Sequence, residues 1–180
     1  MGFPKKEISV LPINKIDKFH LVFAGILLEK QGVQLVLESL STLLHQFPNI
    51  HLTIIGTGVY EEQLKQMAKM NNLDSSVVTF KGFMKNHREI EKILTRCGIG
   101  LAPYKPDKES YTYFADPMKP KIYMGCGLPV IITNVPPIAK EIQKYKAGLI
   151  MDYTKKSFLL SVKKILKDSG TYANFRKNAI

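Results

Sequence analysis

Short apolar runs alternate with longer segments whose apolar residues recur every three or four positions along most of this chain. The runs read as strands: His20 to Ala24, Ile50 to Ile55, Val77 to Lys81, Gly98 to Ala102, Pro129 to Thr133 and a short Leu149 to Met151. Continuous rather than alternating apolarity marks strands buried on both faces, the condition of a parallel sheet. Between the first two, Val33, Val36, Leu37, Leu40, Leu43, Leu44 and Phe47 form a helical stripe, and Leu64, Met67, Ala68 and Leu73 form the next. Asn86 and Glu89 make a capping box for a helix that should end near Cys97. Pro136 and Pro137 open another helix, and Phe158, Leu159, Val162, Ile165 and Leu166 line one face of a helix over Lys155 to Lys167. Strands alternating with helices predict an α/β fold, a parallel sheet of about six strands with helices on both faces.

The densest signal is Asp116 to Thr133, DPMKPKIYMGCGLPVIIT. It predicts a short basic helix, an exit at Gly125 and Gly127, and a buried strand that Pro129 opens at the position a sheet tolerates proline. Lys119 and Lys121 fall in the first turn of that helix, where the positive dipole end and cationic side chains together suit an anion such as phosphate. Asp116 is either the helix N-cap or a ligand contact from the loop. The polar, aromatic stretch 103–115 follows the fourth strand, at the sheet edge where open α/β sheets bind ligands.

Composition narrows the picture. A chain of 180 residues with 45% hydrophobic content suits one domain, with residues 1–18 a lead-in or linker and 19–180 the folded unit. Tyr172 to Ile180 read as an unfinished helix, implying a chain that stops short of a complete protein. The longest clear apolar run, Leu21 to Leu28, is far below the roughly 20 residues of a bilayer-spanning helix. With no readable secretory signal and no myristoylation pattern, the expectation is cytoplasmic. Cys97 and Cys126 lack CxxC partners and read as free thiols. The charge of +11 favours polyanions or acidic lipid surfaces, but no zinc spacing, Arg-rich tract or aromatic-basic sheet signature supports nucleic-acid binding.

The order of segments FAGILLEKQGVQLVLESL, HLTIIGTGVYEEQLKQMAKMNNL, VVTFKGF, GIGLAPY, KIYMGCGLPVIIT and AGLIM resembles the C-terminal donor-binding domain of GT-B glycosyltransferases, most closely family 4. The resemblance implies a Rossmann-like half that holds a nucleoside-diphosphate sugar and faces an N-terminal acceptor-binding domain or chain. It implies transfer of a hexose with retention to a glycan or lipid-linked acceptor, as in polysaccharide biosynthesis. It implies no cofactor and no metal, the nucleotide sugar being the substrate.

The family's diphosphate-binding pattern is altered here. Gly25 is kept, Ile26 stands where the family has arginine, Gln31 precedes Gly32 in place of lysine, and Lys30 is displaced by one position. Lys119 matches the lysine of a Pro-x-Lys segment in some branches, with Lys121 a second candidate. Lys119 is therefore expected to stabilise the departing diphosphate, assisted by amides near Gly25 and Pro117, with Met118 between. The two glutamates the family places eight positions apart fall at Phe114 and Ile122, so neither is acidic. Phe83, followed by Met84, matches the family position that meets the nucleotide base.

Each remaining candidate carries two readings. Gly56-Thr57-Gly58 is either the start of a phosphate-binding fingerprint or a tight strand-to-helix turn. Phe83 is either a base contact or a core aromatic closing the sheet. Tyr104, Tyr111, Tyr113 and Phe114 stack on a ligand or pack on their own domain. His87 reads as an exposed first-turn residue. The Lys155 to Lys167 helix either docks on the inner face of a membrane or buries its stripe with lysines snorkelling around it. A non-catalytic nucleotide-sugar-binding module with a degraded donor site is the competing function.

Overall fold

The computed structural model of the chain describes residues 10–107 and 111–180. The first nine residues of the expected lead-in, and 108–110 of the long loop, lie outside the described residues. Six strands, β1 (Asp17–Ala24), β2 (His51–Ile55), β3 (Val78–Gly82), β4 (Cys97–Ala102), β5 (Val130–Thr133) and β6 (Gly148–Met151), form one parallel sheet in the order 3-2-1-4-5-6. The helices are α1 (Val33–Leu44), α2 (Glu61–Met70), α3 (His87–Leu94), α4 (Met118–Gly125), α5 (Ile138–Lys144), α6 (Lys155–Lys167) and α7 (Ser169–Ala179). This is the Rossmann-like α/β architecture expected.

Two apolar cores flank the sheet. Leu21, Phe23, Leu52 and Ile54 point to one face, beneath α1, α2 and α6; Val22, Ile55, Ala102 and Ile132 point to the other, beneath α3, α4 and α5. Alternate residues of one strand go to opposite cores, which is why the runs are continuously apolar. Buried α1 lies between α2 and α6. Phe158, Val162, Ile165 and Leu166 of α6 are buried in the first core, so that stripe is occupied by the fold and not presented to a membrane. No helix among the described residues is long and apolar enough to cross one.

Several boundaries differ from the expectation. β1 begins at Asp17 because its polar first turn of strand, invisible as an apolar run, pairs with Cys97. Cys97 is the first residue of β4 rather than a helix end. Asn86 caps α3 through the Arg88 N–H, but Glu89 accepts from the Asn86 side-chain amide. Only Gly127 takes the left-handed conformation, at φ +75°; Gly125 is still helical. Arg176 of α7, 5% exposed, donates to the carbonyls of Gly127 and Leu11, clasping the lead-in and the α4 exit to the terminal helix.

Within β1, His20 sits with Nε2 2.7 Å from Thr53 Oγ1 and Nδ1 3.5 Å from Cys97 Sγ, its ring 4.1 Å from that of His51. Burial, and then the His51 and Lys81 charges against the opposing pull of Asp17, lower its pKa to about 4. An unfolded histidine titrates near pH 6.5, so the unfolded chain binds the proton first as pH falls. Stability should therefore decline between about pH 6.5 and 4, by roughly 3 kcal/mol in total. Urea melts across that window should show the loss, and His20→Gln should flatten it; an unchanged pH slope in the variant would sink this assignment.

Candidate functional site

The order in which strands are added reverses between β1 and β4, and at such a switch point open α/β sheets have a crevice beyond the carboxyl ends of the strands. The loops around it are bound to one another by their backbones. The Gly25 N–H donates to the Ile55 carbonyl at 2.9 Å, Leu27 N–H to Thr57 at 2.9 Å, Tyr60 N–H to Leu27 at 3.1 Å, and Gly56 N–H to Gly82 at 2.8 Å. A Cβ on Gly56 would lie 2.0 Å from the Gly25 carbonyl oxygen, and one on Gly58 2.2 Å from that of Leu27. The Gly-Thr-Gly turn thus has a packing reason: it lets two loops touch. The Gly25 amide itself is engaged in that contact.

α4 approaches the crevice from the side of the second core. Tyr123 is fully buried, and its hydroxyl oxygen accepts the Ala24 N–H at 2.7 Å, tying α4 to the last residue of β1. The ring fits because Gly100 has no side chain; a Cβ there would be 2.5 Å from the ring. Tyr123→Phe should leave a buried amide without an acceptor and lower stability by about 1–3 kcal/mol. Denaturant melts would check it, and a variant as stable as the parent would show that Ala24 finds another partner.

Lys119, one turn earlier on α4, reaches into the crevice. Its ammonium Nζ donates to Gln31 Oε1 at 2.6 Å, lies 3.7 Å from the centroid of the Phe23 ring and 5.0 Å from that of Tyr104, and passes so close to Gly25 that a Cβ there would be 2.9 Å from Lys119 Cε. Among the described residues no carboxylate pairs with it. Burial holds its pKa well below the usual lysine value. The first turn of α4 carries no acidic residue, so the ammonium and the positive end of the helix dipole add. Because residues 117 and 120 are prolines, the first-turn amides available are those of Met118 and Lys119, and Pro117 itself, the N-cap, has none to offer.

The neighbouring cations are already engaged. Lys121 pairs with Asp116, which corrects the N-cap reading of Asp116. Lys30 lies 3.9 Å over the Tyr111 ring, and Lys105 pairs with Glu29. Tyr104 is 2% exposed, its carbonyl accepting from Thr133 Oγ1 at 2.7 Å, so it packs within the domain and lines the Lys119 pocket instead of stacking on a ligand in the open. Burial pushes its phenol up, keeping it neutral. Phe83 is 74% exposed, so it is not a core aromatic; Met84 beside it is partly buried against the second core. Phe114 is 86% exposed, Ile122 packs against the second core, and His87 is exposed as expected. No group of three or more His, Cys, Asp or Glu side chains that could hold a metal ion occurs among the described residues.

Tyr123 was not singled out by the sequence, and Gln31 was noted only for standing where the resemblance has lysine. Glycine inside a strand signals a close approach, so the Gly98-Ile99-Gly100 run held a hint of the Tyr123 ring. Nothing local marked Gln31 as the partner of Lys119, which lies 88 residues away.

The family model described as glycosyl transferases group 1 matches residues 5–180. An uncharacterized glycosyltransferase of Haemophilus influenzae is 25% identical over 141 residues, 77% of this chain and 37% of that protein. Among solved structures, the C-terminal domain of a glycosyl transferase group 1 family protein, LpcC, from Francisella tularensis superposes with a TM-score of 0.75 at 18% identity, covering 98% of this chain and 90% of that one. S. aureus TarM, solved with UDP among its ligands, gives a TM-score of 0.78 at 15% identity over 97% of this chain and 34% of its own. The chain thus spans about a third of the length of the H. influenzae and S. aureus proteins.

Proposed function

Because the chain belongs to the glycosyl transferases group 1 family, we propose that the crevice between β1 and β4 holds the diphosphate of a nucleotide sugar against Lys119. The observation that carries this reading is a half-buried lysine ammonium with no carboxylate partner among the described residues, at the switch point and at a helix N-terminus. A desolvated charge that no internal counter-charge satisfies calls for an anion. Lys119 supplies a cation that the family's altered arginine and lysine positions, Ile26 and Gln31, no longer supply, and Gln31 accepts its hydrogen bond. In transfer, the cation stabilises the negative charge that develops on the departing nucleoside diphosphate. In this reading Phe83, whose exposure leaves it free to stack, meets the base, and Asp116 meets the sugar or ribose hydroxyls.

UDP is the first nucleotide to try, since the S. aureus protein and an Anabaena one of the same fold were solved with it. Hexose transfer with retention, to a glycan or lipid-linked acceptor held by an N-terminal half, completes the proposal; work at the cytoplasmic membrane surface in polysaccharide biosynthesis fits it. Isothermal titration with UDP, GDP and ADP sugars should show selective binding of one nucleotide. Equal binding of all three that disappears with added salt would instead indicate a nonspecific basic surface.

A non-catalytic donor-binding module is favoured by one observation: Ile122, at the family's ribose-binding glutamate position, is packed into the second core. Slow hydrolysis of the bound donor would separate a working transfer site from a binding-only one.

A further inference from the structure

The apolar stripe of α6 is inside the fold, but the outer face of the same helix has a composition of its own. Lys156, Leu160, Lys163, Lys164 and Lys167 recur at spacings of three and four, so they share one strip of the helix surface, about 17 Å long. Lys156, Lys164 and Lys167 are exposed, Lys163 is half-buried, and Leu160, in the middle of the strip, is 56% exposed. Seven of residues 155–180 are Lys or Arg and one, Asp168, is acidic, so this stretch holds more than half of the net charge of +11. Asp168 is taken up at the start of α7, where its carboxylate accepts the Gly170 N–H and the Thr171 hydroxyl.

The fold itself does not account for these charges. Lys155, beside the strip, pairs with Glu38 at 3.1 Å, but among the described residues no carboxylate pairs with Lys156, Lys163, Lys164 or Lys167. Lys164 and Lys167 lie in the last turn, where the helix dipole favours a cation; Lys156 lies in the first turn, where the dipole disfavours one and no acidic residue offsets it. Lys163 and Lys167, four positions apart, repel each other. These local costs are offset when an anionic surface lies against the strip. The strip is a convex helix flank of point charges, with no guanidinium fork and no ring, so it suits neither bidentate phosphate recognition nor base stacking. An exposed leucine among lysines instead lets an apolar side chain enter the acyl boundary of a bilayer while the ammoniums stay among the headgroups.

We infer that the outer face of α6 docks this chain on a bilayer that carries anionic lipid, with Lys156, Lys163, Lys164 and Lys167 at the headgroups and Leu160 in the interface. α6 packs on the first core and α4, which carries Lys119, on the second, so docking and donor binding use separate surfaces. The docking face serves the membrane-surface location proposed above and rests on that part of the reading, not on donor binding.

The test is co-sedimentation of the full chain with vesicles of phosphatidylcholine alone or of phosphatidylcholine mixed with phosphatidylglycerol; only the mixed vesicles should carry it down. The chain contains no tryptophan, so Leu160→Trp places a single reporter in the strip. Its emission should move to shorter wavelength on the mixed vesicles and stay unmoved with phosphatidylcholine or with a DNA duplex. Replacing Lys156, Lys163, Lys164 and Lys167 together by Gln should weaken binding to the mixed vesicles about 100-fold. The same change at Lys15, Lys69, Lys92 and Lys140, exposed elsewhere on the chain, should weaken it less than about tenfold. Equal losses in the two fourfold variants would assign binding to net charge and overturn the proposal, as would binding without an emission shift or tighter binding to the duplex than to the mixed vesicles. The tryptophan reading stands whether or not the fourfold variants fold. Calorimetry with nucleotide sugars on the same protein reads donor binding, so the two readings fail separately.

Discussion

Lys119→Met should weaken binding of a nucleoside diphosphate by about 10- to 100-fold while leaving the unliganded fold as stable as before, or more stable. The two effects share one cause. In the free protein the ammonium lies between the Phe23 and Tyr104 rings with Gln31 its one hydrogen-bond acceptor among the described residues, so desolvation disfavours its charge. Its folded pKa lies below the unfolded one, so at neutral pH the unfolded chain holds this proton more tightly and the charge detracts from stability. Methionine fills a similar volume without that penalty. When a diphosphate arrives, the same charge gains a partner in a low-dielectric site and contributes a charge-assisted hydrogen bond. Binding then raises the lysine's pKa, so complex formation should take up protons at pH values above the free pKa, and affinity should fall as the pH rises through it. Calorimetry in buffers of different ionisation enthalpy reads that uptake. A variant that loses stability but keeps its affinity would show Lys119 to be a packing residue; Lys30→Ala, whose ammonium lies on Tyr111, should change affinity little.

Gly32→Ala should be the most damaging small substitution, lowering stability by roughly 3–5 kcal/mol or preventing folding. Gly32 caps the start of α1 in the left-handed conformation at φ +78°, where a side chain is disfavoured. More serious is the contact: a Cβ would sit 1.7 Å from the Pro103 carbonyl oxygen and 2.9 Å from the Tyr153 ring. Backbone on backbone leaves nothing to rotate away. The loops after β1 and β4 must then part, although they are joined by Lys105 N–H donating to the Lys30 carbonyl at 3.0 Å. The crevice would open with them. Gly82→Ala is the control, because Gly82 also has a positive φ, +67°, but nothing lies within 4 Å of the position its Cβ would take. Its effect should be limited to about 1–2 kcal/mol of backbone preference. Thermal melts of the two variants would separate clash from conformation; equal losses would remove the loop contact from the explanation.

The two variants also explain why the candidate site was only half visible in the chain. Lys119 stood out because a lysine in the first turn of a basic helix, next to Gly-Leu-Pro and a buried strand, is a local pattern. Gly32 was noted only as the glycine that follows Gln31 in the altered family pattern. That Lys119 turns inward to Gln31 while Lys121 turns outward to Asp116 depends on which face of α4 meets β1, and no spacing along the sequence states that. Tyr104 and Phe83 were open in the same way: both are aromatics at strand ends, yet one is 2% and the other 74% exposed.

By itself the sequence determined the layered architecture. Six buried runs separated by amphipathic segments leave few ways to cover apolar strands on both faces, and local periodicity carries that information at short range. It also determined the glycines and prolines at the turns, because their backbone preferences belong to the residue. The tertiary structure decided what each polar side chain meets: the Ala24 amide on Tyr123, the Arg176 clasp on Leu11 and Gly127, and the ammonium of Lys119 beside Gly25. These partners are brought together by the parallel crossovers, which gather distant loops at the two ends of the strands. Hydrogen bonds and desolvation act over a few ångströms in space, and their strength is set only once the chain has folded.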